Sequence, residues 1–133
     1  MKRILYMFVM VFLGSNIACA SNFDEELCEV FTNQQAEMAK KLPYRIGEFW
    51  FNTQYYVSCQ QKTVFITKKH TLLKRDEFEK SVAEDFYSQM INSPLCQNII
   101  FKEDNGWAFN MTIHDVEGVY VTNARVDYQA CNN

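Results

Sequence analysis

The sequence predicts an α+β fold: an antiparallel sheet of about four strands, with two or three helices packed on one face and two disulfides. Two segments carry apolar residues at helical spacing, and two others alternate polar and apolar residues over the length of a hairpin. The five cysteines become an even number if the N-terminus is removed. The order helix, hairpin, helix, hairpin places the helices over one side of a sheet.

The first twenty residues have the features of a signal peptide. Lys2 and Arg3 precede an apolar run over residues 4–13, and residues 18–20 fit a small-x-small cleavage pattern. The run is about ten residues long, which is too short to span a bilayer as a helix. We therefore expect cleavage after Ala20, which leaves residues 21–133 as a single exported α+β domain.

Lipidation is the alternative fate of this N-terminus. Cys19 ends a stretch that partly matches a lipobox, but Asn16 stands where that motif has an apolar residue. We therefore favour an unlipidated protein in the periplasm, with peripheral association at the inner face of the outer membrane as the further expectation.

The charge balance excludes one class of partner. The chain has 13 basic and 16 acidic residues, and removal of Lys2 and Arg3 leaves 11 basic residues and a formal net charge of −5. Nucleic-acid binding needs a basic footprint, so we do not expect a nucleic-acid partner.

Four cysteines remain after cleavage, and they predict two disulfides in an exported chain. Cys28 lies beside the apolar stripe of the first predicted helix, and Cys59 is expected to point to the helix-covered side of the sheet. The last hairpin brings Cys131 back towards the start of its first strand, near Cys96. We expect the pairs Cys28–Cys59 and Cys96–Cys131. The cysteines are far apart in sequence from one another and from both histidines, so no zinc site is predicted.

The first predicted helix covers residues 23–42. Acidic residues crowd its start and Lys40 and Lys41 lie at its end, which suits the helix dipole, and Pro43 stops it. Its apolar stripe consists of Leu27, Phe31, Met38 and Leu42.

The second predicted helix begins at Asp76, which forms a capping-box pair with Glu79. It ends at residues 92–94, and its apolar stripe consists of Phe78, Val82, Phe86 and Met90. Residues 95–104 fit either a short strand or a third helix.

Strands are predicted over residues 49–59 and 63–67 and in a C-terminal hairpin. The first alternates strictly, with Phe51, Tyr55 and Val57 on the buried parity. The hairpin turns at residues 115–118, and a bulge near residues 122–123 restores the register of its second strand.

No catalytic, cofactor-binding or metal-binding pattern is present in the sequence, so we expect a protein that is not an enzyme. The paired carboxylates Glu84-Asp85 and Asp115-x-Glu117 are interpreted as solvated pairs. A hydrolase that uses them is the least favoured hypothesis.

Two features are candidates for binding a partner. Trp50 and Tyr56 share the parity opposite to the buried one, and exposed Trp and Tyr are typical interface anchors. The alternative is that Trp50 lies under a loop. Lys68 and Lys69 form a basic cluster with His70, Lys74 and Arg75 in an acidic protein, which fits an acidic partner segment or a solvated loop before the second helix.

The whole chain resembles a known family. Residues 118–120 and 127–131 end the chain as Gly-Val-Tyr and Asp-Tyr-Gln-Ala-Cys. With the length, the export signal and the four cysteines, this ending resembles the accessory protein G of bundle-forming pili, a family of small periplasmic proteins of type IVb pilus systems. The resemblance implies a pilotin-like role, in which the protein helps the outer-membrane secretin to localise or multimerise.

The partner implied by this resemblance is a pilus secretin or another pilus subunit. Classical pilotins are lipoproteins, and the poor lipobox departs from that pattern. The alternative function is an exported inhibitor or immunity-type protein, whose turn at residues 115–118 would enter the active site of a partner enzyme.

Overall fold

The computed structural model describes residues 23–133 of the chain. The predicted signal peptide and Cys19 lie outside these residues, so cleavage and lipidation stay predictions. The elements in chain order are α1 (residues 23–39), β1 (Tyr44–Arg45), β2 (Trp50–Ser58), β3 (Thr63–His70), α2 (Val82–Ile91), β4 (Ala108–His114), β5 (Tyr120–Asp127) and α3 (Tyr128–Asn132). Short 3₁₀ helices lie at Arg75–Glu77, Pro94–Gln97 and Ile99–Phe101. Within the described residues, no helix combines the length and apolar character needed to cross a membrane.

The sheet has five strands in the order β1-β2-β3-β4-β5. The predicted α+β class is confirmed, with one more strand than expected because β1 adds two residues at an edge. Three of the four strand pairs are antiparallel, whereas β3 and β4 are parallel. The long connection through α2 carries the chain back to the starting end of β3, so β4 enters beside it in the same direction.

Helix α1 packs on the sheet through two buried residues of its predicted stripe, Leu27 and Phe31. The Phe31 ring lies 5.3 Å from the Trp107 ring and 5.9 Å from the Phe109 ring, measured between centroids. The helix ends at residue 39, three residues earlier than predicted, and the Met38 carbonyl accepts the N–H groups that follow it. These aromatic contacts fix α1 over the part of the core that lies beside the start of β4.

Helix α2 begins later than predicted. Its first residue is Val82, whereas Asp76 lies in a separate 3₁₀ helix, where the Glu77 side chain accepts the Lys74 N–H at 2.9 Å. Phe78 packs edge-on against the His70 ring at 5.6 Å. Because Phe78 is held against the sheet, the chain turns once more before the helix starts. Phe86 and Met90 then bury the predicted stripe, and residues 95–104 form 3₁₀ turns rather than a strand or an α-helix.

Strand β2 contains a bulge that the alternating pattern did not predict. The register pairs Asn52 with Lys68 and Gln54 with Thr67, so Thr53 has no partner on β3. A single extra residue reverses the parity of everything on its N-terminal side.

The bulge separates residues that were expected to share a face. Trp50 lies on the helix-covered face, packed against the core, whereas Tyr56 lies on the opposite face beside Phe65. Lys68 and Lys69 also face opposite sides because they are adjacent in β3, which extends past Thr67 to His70. The predicted pairing of Trp50 with Tyr56 on one surface is therefore wrong. We call the face opposite the helices the open face.

Both predicted disulfides are present. Cys28–Cys59 joins α1 to the end of β2, and Cys96–Cys131 joins the second 3₁₀ helix to α3, with Cα atoms 5.4 and 5.3 Å apart. The bulge of β5 falls at Val121, one residue before the predicted position.

Candidate functional site

A groove of about 550 Å³ lies on the helix-covered side of the sheet, between α2, the segment that precedes it and the N-terminal end of β2. The sheet provides Trp50, Lys68, His70 and Ile113. Helix α2 and the segment before it provide Leu73, Glu77, Phe78, Glu79, Val82, Asp85, Phe86 and Gln89, and Ile46 closes the edge beside β1. The groove therefore has an apolar floor and an acidic rim.

Trp50 reaches this groove because of the bulge in β2. Its indole lies 4.7 Å from the His70 ring in an edge-to-face arrangement, and it is partly buried against the core. Ile46, which lies across the strand edge, is 39% exposed and donates its N–H to the Trp50 carbonyl. One side of the indole is thus held by the fold while the groove keeps another side accessible.

Among residues 23–133, Lys68 is the one lysine or arginine that lines the groove. Its Nζ lies 6.0 Å from the centroid of the Phe86 ring, and within residues 23–133 it has no hydrogen-bond or ion-pair partner. Burial lowers the pKa of the Lys68 ammonium from its ordinary value. A partly desolvated cation without a counter-ion is costly, so a carboxylate entering the groove would be stabilised there.

His70 holds the wall of the groove, whereas the sequence analysis placed it only in the basic cluster with Lys68 and Lys69. Its Nδ1 accepts the backbone N–H groups of Leu72 and Leu73, both at 3.0 Å. Its ring stacks on Phe49 and meets Trp50 and Phe78 edge-on. Burial lowers the pKa of the His70 imidazole, which favours the neutral ring that these two N–H donors require.

Asp115 is a structural carboxylate rather than half of a solvated pair. It is 2% exposed, and it accepts backbone N–H groups from Arg75 at 2.9 Å and from Glu117 and Val119 at 2.8 Å. Burial acts to raise the pKa of the Asp115 carboxyl, but these donors hold it below its ordinary value. The carboxylate thereby ties the turn after β4 to the segment that leads into the groove wall.

The other half of that predicted pair, Glu117, lies 3.2 Å from Lys74 in an exposed ion pair. In the second predicted pair, Asp85 lines the groove and accepts the Ser81 hydroxyl at 2.8 Å. Among residues 23–133, no group of three acidic, histidine or cysteine side chains is placed to hold a metal ion.

The structure therefore brings two of the four predicted binding residues, Trp50 and Lys68, into one groove. Tyr56 and Lys69 lie on the open face. The sequence could not reveal the groove because its wall depends on the late start of α2 and its floor depends on the bulge.

Comparisons with known proteins bear on the fold. No family model and no curated protein matches the sequence. Among solved structures, the chain is similar to EpsS, the pilotin of the Vibrio vulnificus type 2 secretion system, with a TM-score of 0.62 and 16% identity over 85% of this chain and 98% of that one.

It is also similar to AspS, the type II secretion system pilotin of Vibrio cholerae, with a TM-score of 0.57 and 13% identity over 84% of this chain and 97% of that one. A Pseudomonas aeruginosa protein described as secreted has a TM-score of 0.59 and 13% identity over 82% of this chain and 96% of that one. The described part of the chain thus has the fold found in two secretion-system pilotins.

Proposed function

We propose that this protein is a non-catalytic, pilotin-like assembly factor that binds a secretin of a type IV pilus system through the groove between α2 and the sheet. The observation that carries the proposal is the apolar groove on a pilotin fold, with Trp50 on its floor and the unpaired Lys68 beside Phe86. The resemblance of the whole chain to pilus accessory proteins supports the choice of a pilus system.

The chemistry of the groove specifies the kind of segment that fits it. Apolar side chains of the partner would cover Trp50, Phe78 and Phe86, and a partner carboxylate would reach Lys68. The acidic rim formed by Glu77, Glu79 and Asp85 would repel a segment that carries additional acidic residues at its edges. The proposed occupant is therefore a largely apolar secretin segment with one acidic residue at its centre.

Two substitutions test this site without disturbing the core. Ile46→Asp places a charge at the exposed edge of the groove, and Lys68→Met keeps the length of the side chain while removing its charge. The readout is the dissociation constant for the secretin whose gene lies nearest to the gene of this protein. A hydrogen bond between charged groups contributes about 2 kcal/mol, so Lys68→Met should weaken binding about 30-fold.

The matched control is Tyr56→Ala on the open face, which should leave secretin binding unchanged. Tighter binding by Lys68→Met would show that the groove takes only apolar groups and would contradict the carboxylate. Unchanged binding by folded Ile46→Asp would reject the groove as the secretin site.

We also propose that residues 1–20 direct export and are removed after Ala20. The intact mass of the protein purified from the periplasm should then correspond to a chain that begins at Ser21. A diacylglyceryl group on Cys19 would contradict this and would make the protein a lipoprotein.

The alternative of an exported inhibitor needs the turn at residues 115–118 to enter another protein. Asp115 and the pair Lys74–Glu117 fasten this turn to the segment before α2. No observation favours the inhibitor, and we do not propose it.

A further inference from the structure

The open face of the sheet has no helix over it within residues 23–133, and the strand register arranges its side chains in four rows. Each row crosses β2, β3, β4 and β5 in that order. In the row at one end, Ser58, Thr63, Ala108, Asp127, both Thr63 and Ala108 are buried. Of the three rows beyond it, the two outer ones are Tyr56, Phe65, Asn110, Arg125 and Phe51, Lys69, His114, Tyr120, and the middle row is Gln54, Thr67, Thr112, Asn123. Strands about 4.8 Å apart make each row roughly 14 Å long.

Aromatic rings lie in both outer rows. Tyr56 and Tyr120 are each 50% exposed, and the Tyr56 ring lies 6.0 Å from the Phe65 ring. A depression of about 360 Å³ opens beside Phe51 and Lys69 at the edge of this face. The face thus offers aromatic rings on either side of the polar middle row, which we call the middle strip.

The charge of this face is opposite to that of the rest of the molecule. Its cations are Arg45, which lies 5.8 Å over the Phe51 ring, Lys69 and Arg125, and none of them forms an ion pair within the described residues. Its one acidic residue in the described strands, Asp127, is at the margin and caps α3. The chain as a whole has a net charge of −3, and α1 and α2 carry many of its acidic residues. An anionic ligand is therefore favoured on this face, as it is at Lys68 in the groove.

The middle strip, together with Asn110 in the row beside it, discriminates between kinds of anionic ligand. The Thr67 hydroxyl donates to Gln54 Oε1 at 3.2 Å, and Asn123 Nδ2 donates to Asn110 Oδ1 at 3.1 Å. Within residues 23–133 these bonds leave the amide N–H groups of Gln54 and Asn110 without acceptors. An apolar protein surface would bury these donors unsatisfied, whereas the hydroxyl and amide oxygens of a sugar chain would accept from them.

We propose that the open face binds a linear, carboxylate-bearing glycan of the cell-wall type, separately from the groove. Sugar rings would stack on Tyr56 and Tyr120, the middle strip would bond their hydroxyl and amide groups, and Lys69 and Arg125 would pair with the carboxylates. This face would hold an exported assembly factor on the cell wall while the groove remains free for a protein.

Cosedimentation of the mature protein with purified peptidoglycan sacculi tests the proposal. The wild-type protein should pellet with sacculi at low salt, and a variant with Tyr56→Ala, Tyr120→Ala and Lys69→Gln should bind at least tenfold more weakly. Tyr87→Ala on α2, which removes another exposed tyrosine, is the matched control and should bind normally. Circular dichroism establishes whether each variant is folded. If the triple variant is unfolded, the double variant Tyr56→Ala with Tyr120→Ala replaces it and should still weaken binding severalfold.

Competitors separate the glycan from other anions. Soluble peptidoglycan fragments should displace the protein from sacculi, whereas poly-glutamate at equal charge should not. Displacement by poly-glutamate would show a site for acidic peptides and overturn the proposal. Binding to lipopolysaccharide micelles but not to sacculi, no binding to sacculi, or equal binding by the folded variants would also overturn it.

Discussion

The two disulfides close separate loops, and their removal gives a quantitative test of how the fold is held together. Cys28–Cys59 spans 31 residues and Cys96–Cys131 spans 35, and the two loops do not overlap in sequence. The chain-entropy relation assigns each bridge about 3.7 kcal/mol of unfolding free energy. Since the loops are independent, replacement of all four cysteines by alanine should cost about 7 kcal/mol.

This loss is comparable with the roughly 5–15 kcal/mol that stabilises an ordinary domain. We therefore expect each paired Cys→Ala variant to be folded, with a urea midpoint lower by roughly 2–3 M for a slope near 1.5 kcal/mol/M. The variant without either bridge should be largely unfolded at room temperature. Equilibrium urea unfolding followed by circular dichroism measures all three variants, and the wild-type protein in reducing buffer is the control. A fully folded four-alanine variant would refute the reasoning, as would single losses below about 1 kcal/mol.

Three further expectations concern the core, pH and the turn after β4. Phe31→Ala should cost about 4 kcal/mol because it opens the aromatic cluster under α1, whereas Val30→Ala, at a position that is 49% exposed, should cost under about 0.5 kcal/mol in the same urea assay. The pKa of the folded His70 imidazole is below the unfolded value of about 6.5, so the unfolded chain takes up a proton first, and the free energy of unfolding should fall as pH drops below about 6.5. His70→Gln should make this loss of stability smaller. An unchanged loss in the variant would exclude His70 as its source. The pKa of the Asp115 carboxyl is also lowered, so the contribution of this carboxylate to stability should be complete above pH 3.8, the ordinary pKa of the group, and should be lost as pH falls below that value. Asp115→Asn should remove this part of the acid unfolding curve.

Local patterns in the sequence were sufficient to predict the elements with strong periodicity. The stripe of α1, the C-terminal hairpin and its bulge near Val121 follow from side-chain spacing that each segment carries by itself. The disulfide pairs also followed, because Cys28 and Cys59 belong to elements whose buried sides were clear, and β5 returns Cys131 towards Cys96.

The start of α2, the parallel strand pair and the groove depend on tertiary contacts and could not be predicted from local sequence patterns. The capping pattern at Asp76 is a sound local signal, but Phe78 is held by the ring of His70, and the helix restarts at Val82. The parallel pairing of β3 with β4 depends on where the connection through α2 ends, which no residue spacing specifies. For the candidate site, Trp50 and Lys68 were identified as binding residues, but their common groove was not.

The bulge at Thr53 has the largest consequence for function, and deletion of this residue tests it directly. Asn52 pairs with Lys68 and Gln54 with Thr67, which are consecutive on β3, so a strand without Thr53 has the same register with no residue left over. The deletion removes one long hydrogen bond, from the Thr53 hydroxyl to the Thr67 carbonyl at 3.4 Å, and keeps Trp50 in the groove.

We expect the deletion variant to fold and its Trp50 fluorescence to keep the wild-type emission maximum and acrylamide quenching. Trp107, the second tryptophan, is 1% exposed and should contribute equally to both proteins. If β2 instead alternated strictly, Trp50 would lie on the open face of the wild-type protein and would move into the groove on deletion. A blue shift with reduced quenching in the deletion variant would therefore contradict the bulge and the groove that depends on it.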